Sequence, residues 1–265
     1  MSGRALKSIF VVLFLVTNII LLLYTSYTYY MKVHIAPELI TKTIAVMERG
    51  GVDVSRSLVP SYKEKTTPLL LVNVPDTEKR LTETILGQSL SELKYQSGMY
   101  VNDDGAYVIL SGGMSVTCGN IAAADTDALS AAEAFVTMLD GKLSSHELIS
   151  QDDEHGEYVF GQYIDKRAVE GAQLRVKVSS NILSAEGTYI YAPVLPAAEN
   201  GYSEPLDVML KFLAQDTKSK EIRSLLLCYI AEKKISASGL RPAYCITDEN
   251  GYNYYFDAET GERIK

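Results

Sequence analysis

The chain has 265 residues, 47% of them hydrophobic and 22% charged, which is a globular balance rather than a disordered one. A formal net charge of −8, with no basic block able to follow a phosphate backbone, excludes nucleic acid as an expected partner. Three cysteines, Cys118, Cys228 and Cys245, are too few and too odd in number for a disulfide framework and read as small core hydrophobes, the alternative being that Cys228 and Cys245 lie opposite one another if Leu225 to Ile230 and Ala243 to Thr247 form a hairpin.

The first element is the apolar run Ile9 to Tyr24, IFVVLFLVTNIILLLY. No charge occurs between Lys7 and Lys32, so Ser8 to Met31 would span about 36 Å as a helix, enough to cross a bilayer. Backbone amides in hydrocarbon must pair within the segment, which selects the helix. Arg4 and Lys7 precede the run and hold the N-terminus on the cytoplasmic side, leaving 32–265 outside. Tyr24, Tyr27, Tyr29 and Tyr30 fall where an outer interfacial belt of aromatic rings would lie. A cleaved secretory signal fits the same basic-then-apolar template, but cleavage wants small residues three apart. Ser26 with Thr28 is the only poor candidate, so an uncleaved anchor is expected. Thr17 and Asn18 lie mid-membrane. The Asn18 amide, badly solvated by lipid, would be satisfied by a partner helix.

Beyond the anchor, Pro37 can open a helix that places Ile40, Ile44 and Met47 on one face before Gly50 and Gly51. Leu69 to Val74 reads as a strand between prolines, and Asp76 as the cap of a helix carrying Leu81, Ile85 and Leu86. Met99 to Val101 and Ala106 to Leu110 flank the turn Asn102-Asp103-Asp104-Gly105, and Met114 to Cys118 is a further strand. Thr126 or Asp127 caps a helix with Leu129, Ala132, Val136 and Leu139 inward, followed by strands at Tyr158 to Ile164, Gln173 to Ser179 and Gly187 to Ala192. Pro205 begins a second helix, with Leu206, Met209, Leu210 and Leu213 as its stripe. Strands at Ile222 to Ile230, Ala243 to Thr247 and Tyr252 to Asp257 follow, the last two joined by Asp248-Glu249-Asn250-Gly251.

A helix followed by three strands therefore recurs at an offset of about 75 residues. The expected class is α+β, with helices laid on antiparallel sheets outside the membrane. The expected division is 1–31 for tip and anchor, 32–125 for an N-terminal α+β part, and 126–200 and 201–265 for two helix-plus-three-strand subdomains.

Catalytic and metal chemistry find little support. His146-Glu147 lacks the second histidine of a helical zinc site, His155 lies in an acidic loop, and His34 sits just outside the membrane. Asp248, Asn250 and Glu259 occupy three places of a calcium loop, but Asn253 stands where that loop requires glycine. Ser111 to Ser115 is not a nucleophile elbow, and no glycine-rich loop opens a helix. No catalytic residue, metal or cofactor is expected. In the Tyr252 to Phe256 strand, Tyr255 is the candidate for a binding groove, because Tyr252, Tyr254 and Phe256 share the other face.

Three stretches carry a resemblance. LKSIFVVLFLVTNIILLLY at 6–24 looks like the anchor of YycI-type proteins, and EYVFGQYIDKRAVEGAQLRVKVSSNIL at 157–183 resembles their central segment. LRPAYCITDENGYNYYFDAETGERIK at 240–265 resembles both their terminus and the end of PepSY-type domains. The resemblance implies PepSY-like subdomains and a single-pass regulator of a Gram-positive envelope-sensing two-component system. Its partners would be a YycH-like membrane protein and a sensor histidine kinase of the WalK (YycG) type. A PepSY-type module that captures a peptide, a wall fragment or a peptidase is the alternative, and an envelope hydrolase is a third.

Overall fold

The computed structural model describes residues 3–123, 126–197, 201–215, 218–233 and 238–264, and within these the side chains of all but 3–9, 232, 233 and 238. In chain order its elements are α1 (Gly3–Val33), α2 (Pro37–Arg49), β1 (Asp53–Val54), β2 (Lys65–Thr66), β3 (Leu69–Leu71), α3 (Val74–Leu86), β4 (Lys94–Gln96), β5 (Met99–Val101), β6 (Tyr107–Ser111) and β7 (Ser115–Ala122). There follow α4 (Ala128–Leu139), β8 (Ser144–Asp152), β9 (Glu157–Ile164), β10 (Arg167–Ser179), β11 (Ile182–Thr188), β12 (Val194–Pro196), β13 (Gly201–Tyr202), α5 (Pro205–Ala214), β14 (Glu221–Lys233), β15 (Ser238–Asp248) and β16 (Asn253–Asp257). The protein is mixed α+β, with one apolar N-terminal helix and a sheet-rich remainder.

Two compact units share the chain. One comprises Met1–Thr66, Gly201–Leu225 and Ile246–Lys265, the other Thr67–Asn200 and Leu226–Cys245.

In the first unit, α2 packs on α5, and the two approach closely at Gly50, where a Cβ would lie 2.5 Å from Leu213 Cδ1. The buried stripe of α5 is Pro205, Val208, Met209 and Phe212. It is rotated from the expected leucine stripe, and Leu210 is exposed, because Phe212 is the residue that meets the strand aromatics. Phe212 meets Tyr254 and Phe256 edge-on, with ring centroids 5.2 Å and 6.3 Å away. Tyr255 is also buried, so the expected groove residue is core, and Tyr252, just before β16, is the exposed ring. The turn before β16 forms as expected, with Gly251 at φ +82° and its N–H donating to the Asp248 carbonyl.

In the second unit an antiparallel sheet runs β4-β5-β6-β7-β11-β10, continued by β9 and β8. Strand β10 shows the period-two signal: Leu174, Val176 and Val178 face the core, while Gln173, Arg175 and Lys177 face out. Helix α4 is capped as expected, Asp127 Oδ1 accepting from the Ser130 N–H at 2.9 Å, and contributes Ala132, Phe135, Val136 and Leu139 to that core. Helix α3 starts earlier than expected, with Asn73 in the left-handed region at its N-cap and Asp76 inside the first turn.

Two further expectations are corrected. Four strands follow α4, because β8, whose residues Ser144 to Asp152 are mostly polar, carries no apolar alternation to announce it. The strand expected at Gly187 to Ala192 is instead β11, Ile182 to Thr188, after which Tyr189, Ile190, Tyr191 and Ala192 form a fully buried loop. Apolar residues there mark burial rather than pairing.

Candidate interaction surfaces

Helix α1 is apolar from Phe10 to Val33, a 24-residue stretch long enough to cross a membrane, and every side chain from Phe10 to Lys32 is exposed. Thr17 Oγ1 donates to the Leu13 carbonyl at 2.9 Å and Asn18 Nδ2 to the Phe14 carbonyl at 2.7 Å. Thr25 and Thr28 bond back to their own helix in the same way. At roughly 100° per residue Thr17, Asn18, Thr25 and Thr28 fall within about a quarter of the circumference, a single polar stripe. The sequence singled out the first two, and the wheel adds the others. The Asn18 amide spends one N–H on its own helix. Among the described residues its second N–H and its carbonyl oxygen have no partner within the chain.

Arg4 and Lys7 lie on the first turns of α1, and their side chains fall outside the described residues. Tyr24, Tyr27, Tyr29 and Tyr30 are all more than half exposed. The Tyr30 ring stacks on His34 at 3.8 Å between centroids.

The outer end of α1 is tied to its unit. Lys63 N–H donates to the Val33 carbonyl at 2.7 Å, Ile35 N–H to the Ser61 carbonyl at 2.9 Å, and Lys32 Nζ lies 4.8 Å from the centre of the Tyr202 ring. Lys63 in turn pairs with Glu204.

A second surface is the outer sheet face of the second unit. Arg175 sits at its centre, 3.2 Å from the Glu157 carboxylate on β9 and directly across from Glu186 on β11. Tyr107, Thr117, Lys177 and Ser184, with Cys118 and Ala185, line with them a hollow of about 300 Å³. The Tyr107 ring covers Gly119, where a Cβ would come within 2.7 Å of it. The face is polar, with both signs of charge in balance.

No family model and no curated protein matches this chain. Among solved structures it is similar to an uncharacterized protein from Eubacterium rectale ATCC 33656, at 13% identity over 81% of this chain and 89% of that one, with a TM-score of 0.42. It is also similar to the Bacillus megaterium YpeB C-terminal domain, at 12% identity over 74% of this chain and 97% of that one, with a TM-score of 0.33. These likenesses assign neither family nor activity.

Inside the second unit several buried polar groups are paired with one another. Asp140 takes Tyr189 and His146, and Glu78 takes Tyr191, which also receives the Gly113 N–H. Burial, reinforced by these carboxylates, pushes both phenols above the usual tyrosine range, so each stays a neutral donor. Gln162 holds the same loop through both Ile190 backbone groups. His155 bonds Asp152 within a tight turn. Among the described residues no three His, Cys, Asp or Glu side chains converge as a metal set.

Proposed function

We propose that this protein is a membrane-anchored accessory regulator, acting by binding rather than by chemistry of its own. In this reading it engages a YycH-like membrane protein and, with it, modulates a cell-envelope sensor histidine kinase of the WalK (YycG) type. The observation that carries the reading is Asn18: among the described residues its second amide N–H and its carbonyl oxygen have no partner within the chain, on a helix whose side chains are all exposed from Phe10 to Lys32. Such a group is better satisfied by another helix than by lipid. The resemblance of residues 6–24, 157–183 and 240–265 to YycI-type proteins supplies the identity of the partners. Arg4 and Lys7 orient the anchor with its N-terminus cytoplasmic and the remainder extracytoplasmic.

A polar contact between membrane helices is worth about 1 kcal/mol. A kinase whose two states differ by a few kcal/mol is shifted by an anchor that packs better on one of them. Capture from membranes with the full chain, compared with a chain carrying an unrelated anchor, tests this. Only the native anchor is expected to bring down the sister protein and the kinase. Equal capture by both, or a mature N-terminus near Tyr29, overturns it.

The outer sheet face around Arg175 favours a second reading, a PepSY-type binding or inhibitor module for a peptide, wall fragment or peptidase. Binding of such a ligand by the full chain without any protein partner, lost on Arg175→Ala, would select it.

A further inference from the structure

The sequence reading leaves the outward face of α2 without a role. Ile40, Thr43 and Met47 of α2 are buried, yet Leu39 and Val46, two turns apart on another face, are 53% and 43% exposed. Lys42 and Arg49 lie beside them on the wheel, with Glu38 at the edge of the same stripe, whereas Thr41 and Glu48 project from the far side. An aligned apolar pair flanked by cations is the pattern of a helix lying in a membrane interface.

The chain itself says what covers this stripe. Only residues 34–36 separate α2 from the end of α1, and that short link is pinned: Val33 and Ile35 are hydrogen-bonded to Lys63 and Ser61. The first charge after the apolar span is Lys32, which marks the outer headgroup level, and its ammonium is held against Tyr202 of the same unit. The unit therefore cannot rise away from the bilayer on a slack tether, and α2 begins within five residues of the headgroups.

We propose that α2 rests on the outer leaflet, with Leu39 and Val46 at the boundary between acyl chains and headgroups and with Lys42 and Arg49 on lipid phosphate oxygens. The stems of the two cations lie along the apolar stripe while their heads reach the anionic layer. This rests on α1 being kept as an anchor and on no particular partner. A cleaved chain would defeat both proposals, whereas an anchored chain with α2 in water would defeat this one alone.

The test is a nitroxide placed on Val46→Cys of the full chain, with Glu48→Cys as the control on the same helix, in vesicles of phosphatidylcholine with one quarter phosphatidylglycerol. Cys118, Cys228 and Cys245 are all buried, so the engineered thiol takes the label. The label at 46 is expected to collide at least fivefold more with oxygen than with a water-soluble nickel chelate, and the label at 48 to show the reverse. The Lys42→Gln, Arg49→Gln double variant is expected to lose at least half of the difference in depth between phosphatidylglycerol-containing and pure phosphatidylcholine vesicles. Equal access of the nickel chelate to both positions overturns the proposal. So does spin–spin broadening at 46 that disappears on dilution with unlabelled chain, because a second copy would then be the occupant.

Discussion

The hydroxyl of Tyr189 donates to Asp140 Oδ1 at 2.5 Å, and the other oxygen of the same carboxylate takes His146 Nδ1 at 2.7 Å. Asp140 is the C-cap of α4, His146 lies on β8, and Tyr189 begins the buried loop after β11. One carboxylate thus ties a helix end, an edge strand and a loop together. Tyr189→Phe keeps the ring and removes the donor, leaving Asp140 Oδ1 short of a partner in a site that water reaches poorly. A loss of about 2 kcal/mol is expected, read as a lower urea midpoint of the full chain in detergent. An unchanged midpoint would mean that water replaces the phenol.

Asp248 plays the same part in the first unit. Its side chain accepts from the Asn250 and Tyr252 N–H groups and from the hydroxyls of Ser219 and Tyr254. Burial alone would raise its pKa, but these donors together outweigh burial and hold the carboxyl below the usual aspartate range. A lowered folded pKa means that the stabilisation is present above the unfolded value and is lost as pH falls through the folded one. Asp248→Ala is expected to cost about 3 kcal/mol at neutral pH. The gap between wild type and variant should close as pH falls below about 4, and a gap independent of pH would show that the ionised form is not what the donors hold.

These two carboxylates mark how far the sequence could be read. The turn Asp248 to Gly251 was legible because its signal is local, as were the proline-led helices and the alternation in β10. Ser219 as a partner of Asp248 was not, since nothing in a sequence couples residues 29 positions apart. The buried loop of Tyr189 to Ala192 read as a strand because its residues are apolar, whereas its backbone groups are met by Gln162, Gly113 and Met114, contacts that only the fold creates. Of the interaction surfaces, the membrane stripe was half visible in Thr17 and Asn18. The outer face around Arg175 depends on cross-strand register that no single strand encodes.

The thiols should be silent in the folded protein. Burial pushes Cys118 up to about 12 despite a backbone hydrogen bond from Ala185, and burial with nearby Cys245 and Glu170 pushes Cys228 up to about 12. The Cys228 thiol donates to the Ala243 carbonyl at 3.4 Å, two residues before Cys245, so the two cysteines are offset rather than bridged. At pH 8 the thiolate fraction then falls roughly a thousandfold below that of a free cysteine. Ellman's reagent is expected to find no thiol in the native full chain and three after denaturation. Fast reaction of even one native thiol would contradict this burial.

Gly156 closes the β8–β9 turn at φ +62°, and a Cβ there would lie 2.1 Å from the Val178 carbonyl oxygen. Val178 N–H already donates to the Gly156 carbonyl at 2.8 Å, so the two backbones cannot separate without breaking that bond. Gly156→Ala combines a left-handed backbone with a collision against main chain, and a loss of about 3 kcal/mol is expected. Gly141→Ala, which meets nothing within 4 Å and has no positive φ, serves as the neutral control in the same melting experiment.

Asn18 decides whether the membrane helix is a recognition element or only a tether. Leucine at that position has the same number of side-chain heavy atoms with the same branching at Cγ, is helix-favouring and is preferred by lipid, so Asn18→Leu should insert at least as well as the native chain. It removes one amide that already spends an N–H on the Phe14 carbonyl and, among the described residues, has a second N–H and an oxygen left over. If those groups meet a partner helix, their loss should weaken capture of the kinase complex from membranes about fivefold, the equivalent of the 1 kcal/mol such contacts contribute. Asn18→Gln, which keeps the amide on a longer stem, should recover part of the loss, whereas Leu23→Ala, on the opposite side of the helix from the polar stripe, should not change capture. Undiminished capture and kinase output in Asn18→Leu would leave α1 as an anchor alone and move recognition to the outer units.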